Sequence, residues 1–539
     1  MTAHPTGKTK RASALVVLVA ALGLLLTALI PGAAASAQPG SSCDNRTNNT
    51  YRKLLECVTL EGVREHQEQF QKIADSNDDP FYPGSRVAGT QGYADSVEYV
   101  AGLLEAAGYE VTLDEFEFQF VFPALLHQLT PVDAEYATGA YTGTGDGDVT
   151  GSVIPVDINL APPRDPVTSG CEAADFAGLD FSGDNDIALI QRGTCAFADK
   201  ALNAEAAGAE AVIIFNQGNT PDREALIVGT LGGTNVVGIP VVGASFADGE
   251  ALAQAGSTAR VRVLPSEIRT DVNVIAELPG TNDDNVVMAG AHLDSVGAGP
   301  GINDNGSGSA AILETALMMA KLNPENTLRF AWWGAEESGL IGSTAYVDGL
   351  SQAERDRIAL YLNYDMVGSP NYIFMVYDAD ESTFEAPVPV PAGSVAIEDL
   401  YESYYTLVDE PYDDTEFSGR SDYQAFIEAG IPSGGLFTGA EVVKTPEQVA
   451  IWGGMAGEQF DPCYHEVCDT FGNVALHALD VNSDLIAFAQ LTFAYSTESV
   501  NGVPGQRIPG PPLNLPAPAG PEGTFGSAGG GSSPGPVGS

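Results

Sequence analysis

Basic residues are scarce in this chain, and their scarcity excludes one class of partner. The sequence has 23 lysines and arginines against 72 aspartates and glutamates, which gives a formal net charge of -49 at pH 7. A protein that binds nucleic acid presents a basic face to the phosphates, so we expect no nucleic-acid partner. Two explanations of the acidic surface stay open: adaptation to high salt, where screening relieves self-repulsion, and the ordinary acidity of an exported protein.

Long apolar runs are also scarce. The run from Ala14 to Ile30 follows a basic start and precedes the small residues Ala35, Ser36 and Ala37. This order is typical of a signal peptide, so residues 1–37 are predicted to direct export and to be removed; a retained signal anchor is the alternative. No later segment is long and apolar enough to span a bilayer, which predicts a secreted chain without a stable membrane span, and we expect it to be a monomer.

Cysteine is limited to six residues, and no C-x-x-C pair is present. A structural zinc site is the alternative use of these thiols, but it needs reduced ligands in a tetrahedral cluster. All six cysteines follow the predicted cleavage site and fall into three pairs that are close in the chain. In an exported protein this arrangement predicts disulfides, although the sequence does not fix their connectivity. The predicted bridges are Cys43 to Cys57, Cys171 to Cys195 and Cys463 to Cys468.

The hydrophobic pattern divides the 539 residues into segments of different type. Residues 38–118 carry two amphipathic helix patterns, Thr59 to Ala74 and Gln91 to Ala107. Residues 119–268 contain short apolar runs cut by Gly, Pro and Asp, which indicates a compact β-rich insert. Residues 269–498 alternate strand and helix patterns, which predicts an α/β domain around a mixed, mostly parallel sheet flanked by helices. Residues 499–539 are rich in Pro, Gly and Ser and are predicted to be disordered.

Histidine is scarce as well, with six in the chain, one of them in the predicted signal peptide. His66, His127 and His477 have no ligand-like neighbours in the sequence. His292 follows the predicted strand 285–291, and His465 lies between Cys463 and Cys468. A bridge there would close a short loop and hold Tyr464 and His465 in a fixed orientation.

Carboxylates follow two further predicted strands. Residues 327–333 run into Glu336 and Glu337, and residues 360–364 run into Asp365. Ligands collect at the carboxyl ends of the strands in an open α/β sheet. Adjacent side chains at a strand end point to opposite sides, so we expect Glu337 to bind metal and Glu336 to remain a free base.

Asp304 lies in a Gly-rich loop, residues 299–306, and Ser307 and Ser309 are candidate caps of the following helix. One imidazole and one carboxylate for each of two zinc ions, with a third carboxylate between them, is what a two-metal hydrolytic site needs. The chain offers such a set: His292, Asp304, Glu337, Asp365 and His465.

Several ordered motifs resemble the co-catalytic di-zinc aminopeptidases of metallopeptidase family 28, in particular the secreted Streptomyces-type and aminopeptidase Y-like members. The resemblance covers residues 59–118 and 269–498. Its motifs are AGAHLDSVGAGPGINDNGSGSAAILE, LRFAWWGAEESGLIGS, LNYDMVGSPN, FSGRSDYQAF, GGLFTGA and FDPCYHEVCDT. Within the insert, GTCAFADKALNAEAAGAEAVIIFN resembles a protease-associated domain. The resemblance implies a zinc-peptidase-like α/β fold with that domain inserted.

The resemblance also implies a role for individual residues. It places His292 and Asp365 on one zinc ion, Glu337 and His465 on the other, and Asp304 between them, with a cis peptide after Asp304. Asp294 resembles the carboxylate that orients the ligating imidazole. Glu336 matches the general base and Tyr464 the residue that polarises the scissile carbonyl. The positions around the N-terminal end of the substrate are matched by Arg420, Met366 and Phe437.

A structural calcium ion is a further feature that the resemblance implies. Asp480 and Asp484 match its later ligands. Cys57 stands where the first aspartate ligand is expected, so the bridge from Cys43 to Cys57 is an alternative anchor for that corner.

The expected function is therefore a secreted zinc aminopeptidase that acts on peptides with a free N-terminus and, by resemblance, prefers a large apolar first residue. Three alternatives remain. Glutaminyl cyclases share a related fold but use one zinc ion, a carboxypeptidase with a protease-associated insert would attack the other end, and a receptor-like protein would have lost its ligands. The insert either covers the cleft and filters substrates or stabilises the exported enzyme.

Overall fold

The computed structural model describes residue 43 and residues 45–525. The predicted signal peptide and residues 526–539 lie outside the described residues. Within residues 45–525, no helix combines the length and the apolarity needed to cross a bilayer.

In the described part of the chain, fifteen strands form two sheets. They are β1 (Glu110–Phe120), β2 (Leu125–Thr130), β3 (Ala134–Tyr136), β4 (Gly147–Val156), β5 (Ile187–Gln191), β6 (Ala211–Phe215), β7 (Val241–Ala244), β8 (Thr258–Val263), β9 (Glu267–Leu278), β10 (Asn282–His292), β11 (Asn326–Trp333), β12 (Ile358–Tyr364), β13 (Met375–Tyr377), β14 (Asp413–Thr415) and β15 (Ser433–Phe437).

The described helices are α1 (Tyr51–Leu55), α2 (Leu60–Ser76), α3 (Gln91–Ala107), α4 (Phe197–Ala207), α5 (Phe246–Leu252), α6 (Gly306–Met319), α7 (Ile341–Gly349), α8 (Gln352–Arg357), α9 (Ser394–Val408), α10 (Tyr423–Glu428), α11 (Pro446–Trp452), α12 (Leu476–Tyr495) and α13 (Glu498–Asn501). Two short 3₁₀ helices cover Ala173–Phe176 and Pro221–Arg223. The predicted N-terminal helices are present as α2 and α3, and Gly108, with a φ of 100°, ends α3.

The larger sheet has the order β1-β9-β11-β10-β12-β15-β13-β14. Strands β11, β10, β12 and β15 are parallel to one another, whereas β9 and β13 run antiparallel to their neighbours in this central group. Alternate residues of β10 pack on opposite faces of the sheet. Val287 and Ala289 join the core formed with α2, α3, α6 and α12, and Val286 and Met288 join the core formed with α7 and α10. The predicted mixed α/β fold is confirmed.

The smaller sheet has the order β3-β2-β8-β4-β5-β6-β7. It belongs to the insert, whose short apolar runs are the parallel strands β4 to β7. The chain leaves the larger sheet along β1 and returns along β9, and these two strands pair antiparallel from Glu110 with Glu277 to Phe120 with Glu267. The insert is therefore attached through a paired two-strand connection.

All three predicted disulfides are present, between Cys43 and Cys57, Cys171 and Cys195, and Cys463 and Cys468. The tail differs from the prediction of disorder as far as residue 525. Ile508 and Leu515 pack against the main core, and the backbone N–H of Thr524 donates to Asp413 Oδ2 at 2.9 Å. A few apolar and hydrogen-bonding residues are enough to attach a Pro-rich segment to a surface that already exists, and composition does not reveal such a surface.

Candidate metal centre

Three neighbouring strands bring their ends to one place. His292 is the last residue of β10, Glu336 and Glu337 follow the end of β11, and Asp365 directly follows β12. The three strands are parallel with β10 in the middle, so their carboxyl ends share one edge of the sheet. The predicted convergence of these side chains is what the structure shows.

Asp304 lies between the two imidazoles. Its Oδ1 is 3.2 Å from His292 Nε2, and its Oδ2 is 3.2 Å from His465 Nε2. On one side, His292 Nε2 is 3.3 Å from Asp365 Oδ1. On the other, His465 Nε2 is 3.1 Å from Glu337 Oε2. The five side chains form two overlapping groups of potential metal ligands that share Asp304.

The loop that carries Asp304 is fixed by its own polar groups. The peptide bond from Asp304 to Asn305 is cis. Helix α6 begins after Asn305, whose side chain accepts a hydrogen bond from the N–H of Gly308. The expectation that Ser307 and Ser309 cap this helix is wrong, because both lie inside it and donate to the carbonyl oxygens of Asn303 and His292.

Asp294 contacts both arms of the site. His292 Nδ1 is 3.2 Å from the backbone oxygen of Asp294 and 3.6 Å from its Oδ1. The same carboxylate accepts the backbone N–H groups of Glu336 at 3.2 Å and Glu337 at 3.4 Å. The imidazole thus contacts the backbone oxygen of Asp294 more closely than the carboxylate that the resemblance implies, and the orienting role of that carboxylate stays a prediction. The carboxylate positions the backbone of the two glutamates.

Two supporting residues were missed from the sequence. Asp469 accepts the N–H groups of Asn303 and Asp304 at 2.8 and 3.0 Å. Arg86 is fully buried and donates to the carbonyl oxygens of Leu293, Pro300 and Gly301. Asp469 lies near the end of the motif FDPCYHEVCDT, and Arg86 lies in none of the quoted motifs. The role of each escapes local sequence, because each acts through backbone groups that are distant in the chain.

The electrostatics of the site favour a bound cation. Burial lowers the pKa of His292, but the carboxylates of Asp365 and Glu336 outweigh it and raise this pKa well above its ordinary value. Burial raises the pKa of Glu336 well above its ordinary value, against the opposing effect of His292. Glu337 Oε1 and Asp365 Oδ1 are buried without a hydrogen-bond partner. Buried carboxylates grouped in this way are paired or bind metal, so the donor set fits two divalent metal ions of the type that bind nitrogen and oxygen.

A small pocket of about 90 Å³ opens from the centre. Its walls include His465 and five carboxylates, those of Asp304, Glu336, Glu337, Asp365 and Glu416. They also include the predicted substrate-binding residues Met366, Arg420 and Phe437 and the predicted catalytic residue Tyr464. The Tyr464 ring stacks on the His465 ring at 3.8 Å, and the Tyr464 hydroxyl accepts a hydrogen bond from Arg420 at 3.2 Å. Ala335, Met366 and His465 have φ values of 53°, 54° and 58°. Such strain at non-glycine residues is concentrated at functional sites.

Comparison with known proteins agrees with this geometry. The model of peptidase family M28 matches residues 273–490, and the PA domain model matches residues 149–252. An "Aminopeptidase" of Pseudomonas aeruginosa is 45% identical over 458 residues, which are 83% of each chain. The chain belongs to peptidase family M28. The predicted enzyme class, an aminopeptidase of this family with a protease-associated insert, is thereby confirmed.

Further relatives of this M28 peptidase support the same assignment. A "Probable leucine aminopeptidase 2" of Aspergillus fumigatus is 42% identical over 426 residues, covering 77% of this chain and 80% of the relative. The structure of a zinc aminopeptidase from Bacillus subtilis matches with a TM-score of 0.57 and 26% identity over 82% of this chain and 98% of the other. An aminopeptidase from Aneurinibacillus sp. strain AM-1 matches with a TM-score of 0.53 and 28% identity, covering 87% and 99%.

The remaining predicted sites of the M28 peptidase lie elsewhere. Asp480 and Asp484, the calcium candidates, are on α12, where burial and then Asp480 raise the pKa of Asp484 to about 7. Within residues 45–525 neither belongs to a group of three metal-ligating side chains. The other histidines have partners outside the centre: His66 lies near Tyr99 and Glu314, His127 near Asp133, and His477 near Glu410.

Removal of the Arg86 guanidinium should destabilise the peptidase strongly. Arg86→Met would leave the buried carbonyl oxygens of Leu293 and Pro300 without their donor. The Gly301 oxygen would keep the N–H of Gly306. We therefore expect a loss of about 3 kcal/mol in the free energy of unfolding. Urea unfolding of the wild type and of Arg86→Met measures this difference in the free energy of unfolding. Arg52→Met is the matched control, since that side chain is 79% exposed. Equal midpoints for the Arg86 and Arg52 variants would contradict the assigned role.

A second group of carboxylates, unexpected from the sequence and buried except for the exposed Asp380, lies where β13 and β14 meet α9. It comprises Asp378, Asp380, Glu398, Glu402 and Asp414. Burial, followed by the charges of Asp380 and Glu402, raises the pKa of Glu398 to about 9. Ionising this group in the folded protein is therefore unfavourable.

This group predicts a pH dependence of stability. The pKa of Glu398 is higher in the folded than in the unfolded chain, where it is about 4.3. Its contribution to stability is therefore lost as the pH rises from about 4 to 9. The free energy of unfolding of Glu398→Gln should equal that of the wild type near pH 4. At pH 9 it should exceed the wild-type value by about 1–3 kcal/mol. Glu428→Gln, on the exposed side of α10, is the control, and parallel pH profiles for all three proteins would contradict the prediction.

Proposed function

We propose that the chain is an exported zinc-dependent aminopeptidase that removes the N-terminal residue from peptides, preferring a large apolar first residue. The observation that carries this proposal is the position of Asp304 between His292 and His465, with Glu336 beside the pair and a small pocket opening from the same point. Three disulfides support passage to an oxidising compartment.

Zinc would be held by His292 and Asp365 on one side, by Glu337 and His465 on the other, and by Asp304 between them. Two bound zinc ions polarise a carbonyl and lower the pKa of a water molecule toward neutrality. The donor types fit this metal, since imidazole nitrogen and carboxylate oxygen are ordinary zinc ligands. Calcium at Asp480 and Asp484 is not part of the proposal.

Glu336 is the proposed general base and acid. It is buried at the centre but its Oε2 is 4.0 Å from His292 Nε2, farther than the carboxylates of Asp304 and Asp365. A carboxylate that lies beside the proposed metal ligands without holding an imidazole can accept a proton from the attacking water and return it to the departing amine. The Tyr464 hydroxyl lines the same pocket and would donate to the carbonyl oxygen on which negative charge develops.

The pocket explains why one residue would be removed at a time. Its carboxylates would hold the charged α-amino group, and Met366 and Phe437 would contact an apolar side chain. The pocket is small, about 90 Å³, and an acylated N-terminus would bring no positive charge to its carboxylates. A peptide with a blocked N-terminus should therefore be excluded.

The deciding assay is the release of free leucine from Leu-Gly-Gly-amide. Zinc-loaded enzyme should release leucine, chelator should abolish the release and added zinc should restore it. N-acetyl-Leu-Gly-Gly-amide should be inert, whereas a carboxypeptidase would cleave N-acetyl-Leu-Gly-Leu with a free C-terminus. If the enzyme cleaved N-acetyl-Leu-Gly-Leu and left Leu-Gly-Gly-amide intact, carboxypeptidase activity would replace the proposal.

A further inference from the structure

A second cavity lies on the other side of Glu337. Its volume is about 320 Å³, larger than that of the pocket described above. Glu337 lines both cavities, and the carboxylate-bearing Asp294 lines the second. The metal centre is thus flanked by two separate spaces, and the first of them already accounts for the N-terminal residue.

The wall of the second cavity is apolar and aromatic. Tyr82, Val87, Phe118, Phe120, Val296 and Ile341 supply most of it. These side chains come from the segment before α3, from the end of β1 where the chain enters the insert, from the loop after β10 and from the first residue of α7. An apolar cavity of a few hundred Å³ with one or two polar groups is typical of a binding site for a small molecule or a side chain.

The wall is also held in place without a ligand. The Tyr82 hydroxyl donates to the Val121 carbonyl oxygen at 2.6 Å, and its ring packs edge-on against Phe120 at 5.7 Å. A Cβ at Gly297 would lie 2.2 Å from the Tyr82 ring, so glycine is what lets this ring close the cavity. On the far side, the Arg269 guanidinium stacks on Phe120 at 3.5 Å. A preformed wall loses little entropy on binding.

The charges of the cavity restrict its occupant. Its only ionisable carboxylates are those of Asp294 and Glu337, and no basic residue is among the described residues that line it. An acidic side chain, or the free carboxylate of a dipeptide, would meet negative charge there. A large uncharged apolar group would meet the aromatic wall instead.

We propose that this second cavity binds the residue on the leaving side of the scissile bond and selects a large apolar side chain there over glycine and over an acidic one. The inference rests on the proposed aminopeptidase function, in which the first pocket would take the N-terminal residue. Glu337 lines both cavities, so the second cavity adjoins the centre from which the rest of the peptide would extend. The PA insert would then affect specificity through the strand that joins it to the catalytic domain, since Phe118 and Phe120 lie in β1.

The test compares peptides that differ at the second residue alone. With zinc-loaded enzyme, kcat/KM for Leu-Phe-amide should exceed that for Leu-Gly-amide by about 10-fold or more, as expected for burial of an aromatic side chain. The kcat/KM for Leu-Asp-amide should be lower than that for Leu-Gly-amide. The amide caps remove the terminal carboxylate from the comparison.

Two variants narrow the cavity from positions that are half-buried, Val87→Phe and Val296→Phe. Each variant should reduce the ratio of kcat/KM for Leu-Phe-amide to kcat/KM for Leu-Gly-amide by about 5-fold or more. Val132→Phe introduces the same side chain at a position that is 50% exposed in the insert, and it should leave the ratio unchanged. Circular dichroism checks that each variant is folded.

A binding measurement separates the two proposals. In zinc-loaded Glu336→Gln, calorimetry should show Leu-Phe-amide binding about 10-fold more tightly than Leu-Gly-amide, with the difference lost when Val87→Phe is added. If no amide is hydrolysed by the wild type, the aminopeptidase proposal fails and calorimetry still decides on the cavity. Equal rates for the three amides, or a ratio that both narrowing variants leave intact, would overturn the inference.

Discussion

The Glu336→Gln variant is expected to bind zinc like the wild type and to release leucine about 10²- to 10⁴-fold more slowly. Among the carboxylates that approach the Nε2 atoms of His292 and His465, Glu336 is the most distant, at 4.0 Å from His292 Nε2, whereas the others lie within 3.3 Å. The amide of glutamine has nearly the shape of the carboxylate but accepts no proton at neutral pH. Loss of rate without loss of metal is therefore the signature of a proton-transfer role.

The measurement combines zinc analysis by mass spectrometry with kcat for Leu-Gly-Gly-amide. Glu428→Gln is the control for the chemistry of the substitution, because Glu428 is exposed on α10 and its side chain contacts Gln424. A Glu336→Gln enzyme with wild-type kcat would remove Glu336 from the mechanism. A variant that has lost zinc would instead make Glu336 a ligand.

The parts of the site that could be predicted are those carried by local sequence. Apolar strands that end in His292, Glu337 and Asp365 indicate one sheet edge, because parallel strands place their carboxyl ends together. The loop between Cys463 and Cys468 predicted a fixed His465, and the structure has the disulfide and places His465 Nε2 3.2 Å from Asp304. The fold class followed from the alternation of strand and helix patterns.

Other parts depend on contacts between distant residues. Arg86 lies more than 200 positions before the carbonyl groups to which it donates. The grouping of Glu398 with Asp414 requires β14 to lie beside β13, a pairing that no periodicity reveals. The attachment of the tail needs the surface formed by β14 and Tyr412. In each case the local pattern is ordinary, and the chemistry appears when the chain is folded.

Removal of single ligands should separate the two metal positions. His465→Ala is expected to retain about one zinc ion per chain, because His292, Asp365 and Asp304 remain together on the other side. Asp304→Ala should retain less zinc than His465→Ala, since the two oxygens of Asp304 each lie 3.2 Å from a different imidazole and serve both positions. Both variants should lose leucine release by at least about 100-fold.

Zinc per chain after dialysis, measured by mass spectrometry, distinguishes this arrangement from a single metal position. His477→Ala is the matched control, because this side chain is 56% exposed and contacts Glu410 away from the centre; it should keep the zinc content of the wild type. If the wild type bound one ion and His465→Ala kept it, His465 would act on substrate alone and the two-ion proposal would fail. A carboxylate shared by two ions requires an ordered loss of zinc per chain, with the lowest content in Asp304→Ala, an intermediate content in His465→Ala and the highest in the control. The reason is that only a shared ligand affects both metal positions when it is removed.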